Sequence, residues 1–142
     1  MRLFLQIDIG DWKQRAYNNL LISYASSLTD DLIGTDIDSE SESAVIDLVI
    51  TLADQAEAIF VFISVMADSN VGNAAKMMRY LHQHQHKINQ FVMLGEHPEV
   101  ENSGEYFDDR FLKAKDDEQV KALLHNFAKS NTTPGQTSGP VQ

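Results

Sequence analysis

The chain has 142 residues, of which 43% are hydrophobic, and this is enough for one core of ordinary size. It has no cysteine, which excludes disulfide bonds, thiol catalysis and thiolate zinc sites and suits a reducing cytoplasm. Its formal net charge of −10 argues against nucleic acid as a partner, because neutralising phosphates requires clustered Lys and Arg. No apolar run reaches the roughly 18 residues of a membrane helix, so we expect a soluble, cytoplasmic protein without a membrane partner.

The first part of the chain is predicted to form a strand, a helix and a weak second strand. Residues 2–9 are apolar except where Gln6 and Asp8 interrupt them, which is typical of a strand and not of a signal peptide. A helix over 11–28 follows, with Asp11 as its N-cap and Gln14 closing a capping box. Residues 31–38 are predicted to add at most a short edge strand. The buried stripe of the helix is predicted to be Tyr17, Leu20, Leu21, Tyr24 and Leu28.

A second helix is predicted to begin at a capping box formed by Ser39 and Glu42. β-Branched residues lower its intrinsic helix propensity, so packing must stabilise it. The apolar side predicted to pack comprises Val45, Ile46, Val49, Leu52, Ala53 and Ala56.

The middle of the chain carries the clearest signal for a fold. Residues 58–65 form an unbroken apolar run between two helical patterns, which indicates a strand buried on both faces of a parallel sheet. A helix over 70–87, with Val71, Ala74, Ala75, Met78 and Leu81 buried, and a strand over 90–94 come next. Residues 95–109 are predicted to be a polar loop that either has a function or is mobile.

The last part of the chain is predicted to contain a short strand over 110–114 and a helix over 116–129. The helix is acidic in its first turn, as the helix dipole favours, and buries Val120, Leu123, Leu124 and Phe127. Residues 130–142 have almost nothing to bury, so they are predicted to be a disordered tail after a single domain over 1–129.

Strands that alternate with helices predict an α/β fold. We expect a three-layer, flavodoxin-like parallel sheet of four to five strands, in the order 2-1-3-4-5, with helices on both faces. Ligands bind such sheets at the carboxyl ends of the strands. The candidate ligand residues there are Asp8, Asp11, Ser64, Asp68, Asn70, Glu96 and His97, with Lys113 and Lys115 after the last strand.

The region from Asp36 to Leu81 resembles TIR-like domains and the nucleoside deoxyribosyltransferase-like group. It has an acidic entry to a helix, an apolar strand ending in Ile63-Ser64, and Ser69 opening the next helix. The resemblance implies that an enzyme of either group would carry a glutamate where this chain has Lys76, and a Trp-Cys pair of TIR domains is replaced by Gly72 and Asn73. A cation cannot stabilise the positive charge that develops when a glycosidic bond breaks. The resemblance therefore implies a non-catalytic relative.

Phospho-acceptor receiver domains share the predicted fold and offer an alternative interpretation. The functional positions of a receiver domain could be taken by Asp8, Asp11, Asp68 and Lys115. However, the acids after the first strand are not adjacent, and Gly95 replaces the expected hydroxyl residue. Glu96 and His97 likewise offer an acid and a base, although no nucleophile pairs with them. A single glycine, Gly10, does not make a phosphate-binding loop. No cofactor is predicted.

Three histidines near the end of the predicted third helix suggest another alternative. His82 and His86 are four residues apart and could chelate one divalent metal ion, with His97 as a third ligand, whereas His84 points the other way. More often, such a tract is a solvated helix end whose charge complements the helix dipole.

The charges are unevenly distributed along the chain. No Lys or Arg occurs between Arg15 and Lys76, and nine acids lie within residues 30–57 of that gap, among them Asp36, Asp38, Glu40 and Glu42. Lys76, Arg79 and Lys87 follow on a predicted helix without acids. A solvated surface explains this pattern, and so does an acidic surface that binds a basic partner or a second copy of the chain. We therefore expect a non-enzymatic interaction or regulatory module. The alternative is an enzyme or binding protein for a nucleotide or other small ligand.

Overall fold

Residues 1–10 and 20–130 are described by a computed structural model. Within them, five parallel strands form one sheet in the order β2-β1-β3-β4-β5. The predicted flavodoxin-like α/β fold and its strand order are confirmed. The strands are β1 Arg2–Ile9, β2 Leu32–Asp38, β3 Ala58–Val65, β4 Ile88–Leu94 and β5 Phe111–Ala114. The α-helices of these residues are α1 Leu20–Leu28, α2 Ser43–Gln55, α3 Ala75–Gln83, α4 Pro98–Glu105 and α5 Asp117–Lys129.

The sheet separates two hydrophobic clusters, because successive side chains of a strand point to opposite faces. The face covered by α2, α3 and α4, here called face A, buries Leu3, Leu5 and Ile7 of β1. The face covered by α1 and α5, here called face B, buries Phe4 of β1 and Phe60 of β3. Both β1 and β3 are buried along their whole length.

The predicted bounds of the two central strands match β1 and β3 residue for residue. The weak segment over 31–38 is the edge strand β2. The described part of the first helix, α1, is also as predicted, whereas Asp11, Gln14 and Tyr17 lie outside the described residues. Leu20 does not belong to the buried stripe, since 69% of it is exposed at the start of α1.

The predicted capping box at Ser39 is wrong. Helix α2 begins at Ser43, and its N-cap Glu42 makes no capping bond through its side chain. Ser39 instead uses its backbone to join two elements, because its N–H donates to the Asp8 carbonyl (3.1 Å) and its carbonyl accepts from the Asn73 N–H (2.9 Å). The predicted burial of Val45 is wrong as well, because 42% of this residue is exposed.

The helix predicted over 70–87 is broken into three pieces. A short 3-10 helix covers Gly72–Ala74, α3 follows, and a second 3-10 turn covers Gln85–Lys87. Gly72 has a φ of +58°, and a Cβ atom there would overlap the carbonyl oxygen of Ser39. A regular helix therefore cannot pass through Gly72 while the loop after β2 remains in place. Strand β4 begins at Ile88, two residues earlier than predicted.

The loop predicted over 95–109 contains the helix α4 and a 3-10 turn over Asp108–Arg110. His97 caps α4 by accepting a hydrogen bond from the Val100 N–H, and Pro98 occupies the first turn. Helix α4 packs through Val100, and the chain after it packs through Phe107, whose ring stacks on Phe91 at 4.9 Å between centroids. The polar sequence concealed this helix because few of its residues face the core.

The carboxyl end of α5 is held by Arg2, which is 7% exposed at the start of β1. Its guanidinium donates to the carbonyls of Phe127, Ala128 and Ser130 and forms a two-pronged bond to Asp31. Ser130, the first residue of the predicted tail, is thus the C-cap of α5 and is bound. Residues 131–142 lie outside the described residues. Over the ranges that are described, no helix is both long and apolar enough to cross a membrane.

Candidate functional site

The carboxyl ends of β1 and β3 hold a small buried polar cluster on face B. It comprises Gln6, Asp8 and Ser64, which are 4%, 6% and 0% exposed. Asp8 lies opposite Ser64 in the strand register, and the Gln6 amide donates to the Asp8 carboxylate at 3.1 Å. Gln6 Oε1 and Ser64 Oγ have no hydrogen-bond partner among residues 1–10 and 20–130. Because an unsatisfied buried polar group costs about 1–3 kcal/mol, such atoms require an explanation.

The end of β2 and the loop that follows it are acidic. Asp36, Asp38, Glu40 and Glu42 lie there, and none of them forms a salt bridge within 1–10 and 20–130. The Asp38 carboxylate accepts hydrogen bonds from the Glu40 N–H (2.8 Å) and the Ser41 hydroxyl (3.4 Å). Partial burial, and then the neighbouring charge of Asp38, raise the pKa of Asp36. This segment, called the acidic end below, therefore concentrates negative charge that is not neutralised locally.

The loops at the carboxyl ends of the central strands approach one another closely. Gly10, after β1, has a φ of +142°, and a Cβ atom there would lie 2.7 Å from Cγ of Met66, after β3. The Met66 N–H also donates to the Ile9 carbonyl at 3.0 Å. Together with the Ser39 bridge between β1 and Asn73, these contacts join the loops after β1, β2 and β3 at the carboxyl ends of the strands.

His97 is held from both sides of its ring. Its Nδ1 accepts from the Val100 N–H at 3.3 Å, so its Nε2 carries the proton and donates to the Ser69 carbonyl at 2.6 Å. The residue is 5% exposed. His97 thus positions α4 against the loop after β3, and neither ring nitrogen is available as a general base.

The predicted ligand residues have different surroundings. Asp8 and Ser64 lie buried on face B, whereas His97 lies at the start of α4 on face A. Asp68, Asn70, Glu96 and Lys115 are exposed, and the Asn70 side chain accepts from the Gly72 N–H. Asp11, a member of the receiver-like set, lies outside the described residues. Of the described members of that set, Asp8 is buried while Asp68 and Lys115 are exposed, and Glu96 is exposed beside the buried His97.

Lys76 projects from α3 towards α2, where its ammonium forms a 2.5 Å ion pair with Asp47. Ser43, Asn73 and Arg79 line a cavity of about 330 Å³ beside this pair. A second cavity of about 180 Å³ lies between α3 and α4 and is lined by Met78, His82 and Val100, among others. Neither cavity includes Gln6, Asp8 or Ser64.

Two further contacts join α2 to α3 and the turn after it. The Tyr80 hydroxyl donates to Asp54 at 2.6 Å, and burial, followed by this carboxylate, raises the pKa of Tyr80. The Lys87 ammonium donates to the carbonyls of Ala53 and Asp54 at the end of α2. Part of the predicted basic helix is therefore already bound to the acidic helix of the same chain, a pairing that helical spacing alone could not predict.

The histidines after Leu81 have different surroundings. His82 stacks on Tyr106 at 4.6 Å, and its Nε2 lies 3.2 Å from the Ser103 carbonyl. His84 stacks on Tyr80 at 4.1 Å, and His86 is exposed on the following turn. In the part of the chain that the structure describes, no group of three His, Asp or Glu side chains is arranged to hold a metal ion. His82 contributes instead to the contact between α3 and α4.

Local sequence patterns did not reveal the roles of Gln6 and Arg2. Gln6 and Asp8 are polar residues two apart on one face of β1, and this spacing in a buried strand was the available signal. The role of Arg2 depends on carbonyls more than a hundred residues away in sequence, so no local pattern indicated it.

Comparisons with known proteins give no family for this chain. No protein-family model matches it, and a search of the curated proteins found no match.

Proposed function

We propose that this chain is a non-enzymatic interaction or regulatory module, on a TIR-like variant of the flavodoxin-like sheet, that binds a basic partner protein through its acidic end. The observation that carries the proposal is the acidic end itself. Its carboxylates lie together at an edge of the sheet and form no salt bridge with a described residue. Burial raises the pKa of Asp36, and the neighbouring charge of Asp38 raises it further, so like charge adds to the cost of ionising this carboxyl.

The surroundings of Lys76 support a non-catalytic role. The TIR-like resemblance predicts a catalytic glutamate at this position, and here the ammonium of Lys76 neutralises Asp47. Asp47, the carboxylate that contacts this position, is therefore already paired with a cation. His97, the histidine at the strand ends, uses both ring nitrogens for structural bonds.

The second candidate is a binding site for a small hydroxylated ligand, such as a nucleotide, at the carboxyl ends of β1 and β3. Gln6 Oε1 and Ser64 Oγ favour it, because they are buried polar atoms without a partner in the described part of the chain and a ligand hydroxyl could donate to them. Their near-complete burial weighs against it, since a ligand must reach them.

The non-enzymatic part of the proposal predicts no cleavage of NAD or nucleosides. The test is incubation with each substrate, followed by product chromatography. Turnover that Asp8→Ala or Glu96→Ala abolishes would overturn the proposal in favour of the second candidate. Activity gained by Lys76→Glu alone would support the family resemblance while leaving the native chain non-enzymatic.

The binding part is tested with a fluorescent oligolysine peptide, which probes charge alone. The acid-neutral variant, Asp36→Asn/Asp38→Asn/Glu40→Gln/Glu42→Gln, keeps the hydrogen-bond acceptors and removes four charges. Its matched control neutralises four other exposed acids, Glu99, Glu105, Asp108 and Asp109, in the same way. We expect salt-sensitive binding that the acid-neutral variant loses and the control retains. Equal losses in both would mean that only net charge matters.

A further inference from the structure

Helix α2 exposes apolar side chains that its packing does not require. Leu48 is 71% exposed and Val45 is 42% exposed. The buried side of the helix is formed by Ile46, Val49 and Ala53. Large apolar residues next to one another on the surface of one helix are a common mark of an interaction site.

The position of this apolar side follows from the contacts of α2. Asp47 and Asp54 bind Lys76 and Tyr80, so their side of the helix faces α3. Successive residues of a helix are turned by about 100°, which places Val45, Leu48 and Leu52 together on the opposite side. Because α3 lies over the sheet interior, that opposite side faces the open edge formed by β2.

Strand β2 extends the same apolar surface. Ile33, which is 41% exposed, pairs with Leu3 and therefore points to face A, beneath α2. Helix α2 runs back against the strand direction, so Leu52 near its end lies towards the end of β2 that carries Ile33. Ile33, Val45, Leu48 and Leu52 thus line one border of the molecule, called the α2 border below.

The α2 border carries acids at both of its ends. Glu40 and Glu42 lie at the start of α2, and Asp30 lies just before β2. No Lys or Arg occurs in the sequence between Arg15 and Lys76, so none lies on β2 or α2. Among residues 1–10 and 20–130, the Lys and Arg side chains bound to these elements or to the turn before β2 are Arg2, Lys76 and Lys87, which contact Asp31, Asp47 and the end of α2.

We propose that the α2 border is the docking site for a basic amphipathic helix of another protein. This inference rests on the proposed function and specifies its partner. Side chains at helical spacing along a sheet edge accept the apolar side of a second helix, and the acids at the ends attract its Lys and Arg. A second copy of the chain fits less well, because a twofold contact would bring acids of one border against acids of the other.

The test uses a fluorescent synthetic peptide of about 15 residues, long enough for a helix, with Leu along one side and Lys along the other. A peptide with the same residues in scrambled order is the charge control. The chain offers a matched pair of variants, Leu48→Gln and Leu20→Gln, since Leu20 is 69% exposed on the other side of the sheet. Binding is measured by fluorescence anisotropy, and circular dichroism checks that both variants are folded.

We expect Leu48→Gln to weaken binding by about tenfold or more, as for a central interface residue, and Leu20→Gln to leave it within about twofold. The scrambled peptide should bind more weakly than the amphipathic one. If Leu48→Gln and Leu20→Gln bind the peptide equally well, docking at the α2 border is overturned. If, in that case, the acid-neutral variant alone loses peptide binding, the proposed function still stands. Loss in none of the variants would overturn both proposals. A wild-type dimer that Leu48→Gln dissociates would assign the border to a second copy instead.

Discussion

At the scale of single residues, two acids at one edge of the sheet have opposite surroundings. Hydrogen bonds from Arg2 lower the pKa of Asp31, against a smaller effect of burial. Burial and the charge of Asp38 raise the pKa of Asp36. A lowered pKa in the folded state means that ionisation stabilises the fold, and a raised pKa means that ionisation destabilises it. The two carboxylates should therefore respond to pH and to substitution with opposite signs.

We predict that Asp31→Asn lowers the free energy of unfolding at neutral pH and that Asp36→Asn raises it. The contribution of Asp31 is present above its unfolded pKa and is lost as the pH falls through its lower folded pKa. As the pH is lowered, the free energy of unfolding of Asp31→Asn should therefore decrease less steeply than that of the wild type. Urea denaturation at several pH values measures this, with Asp30→Asn as the control, since Asp30 makes no salt bridge within the described ranges. If Asp31→Asn and Asp36→Asn change the free energy of unfolding at neutral pH in the same direction, the opposite roles assigned to the two carboxylates are contradicted.

We predict that His97→Ala lowers the free energy of unfolding by about 1–2 kcal/mol, as the loss of an N-cap does. The substitution also removes the donor to the Ser69 carbonyl. His97→Asn should recover only part of the loss, because Asn can cap α4 but is too short to span to Ser69. Thermal or chemical denaturation measures the difference, and full recovery by Asn would mean that the Ser69 bond contributes nothing.

The sequence could not separate a catalytic from a structural His97. Its neighbours Glu96 and Pro98 are compatible with a base at a strand end and also with a helix cap. The decisive partner, the Ser69 carbonyl, lies 28 residues earlier in the chain, in the loop after the neighbouring strand β3. The structural role of Lys76 was hidden for the same reason. Its position suggested that a catalytic glutamate is missing, whereas its ion pair with Asp47 depends on how α2 lies against α3.

At the scale of elements, the pattern of hydrophobic residues predicted the buried strands. It did not predict elements of which few residues reach the core. Strand β3 is apolar except at Ser64, so its bounds followed from the sequence alone. Helix α4 is polar except at Val100 and Gly104, which are its buried residues, and so it looked like a loop. The break before α3 depends on Gly72, whose conformation is set by the distant Ser39 carbonyl.

We predict that Gly72→Ala destabilises the protein by more than about 2 kcal/mol, since it combines a left-handed backbone with an overlap against the Ser39 carbonyl. The loop after β2 would have to move, which would also disturb the acidic end. Gly34→Ala is the control, because Gly34 has no positive φ and its nearest neighbour is a side-chain methyl of Ile22 at 3.0 Å. Denaturation should show a clearly smaller loss for Gly34→Ala, and equal losses would contradict the argument.

At the scale of the whole molecule, the alternation of strands and helices predicted a parallel sheet, and the order 2-1-3-4-5 was chosen as a common order for five strands with right-handed crossovers. The distribution of charge was also visible in the sequence, but its pairing was not. Lys76 and Lys87, two of the cations proposed for self-association, bind α2 of the same chain. This weakens the argument for self-association and leaves a basic partner as the better hypothesis.

We therefore predict that the chain sediments as a monomer at both low and physiological salt, since a net charge of −10 is repulsive and Lys76 and Lys87, two of the three cations of the predicted basic helix, are bound to α2 of the same chain. Sedimentation velocity at high protein concentration measures this. Arg79→Glu is the control variant, because Arg79 is an exposed cation of α3 without a salt bridge to the rest of the described chain. A salt-sensitive dimer that Arg79→Glu abolishes would restore the head-to-tail hypothesis.

The position of β1 between β2 and β3 has a consequence for synthesis on the ribosome. Up to Gln55 the nascent chain holds β1 and β2, which pair along one side of β1. The other side of β1 stays open until Ala58–Val65 leaves the exit tunnel, and each later strand then adds beyond the one before it. The sheet therefore grows in one direction from β1, and a chain stalled before β3 should be protease-sensitive and dependent on chaperones.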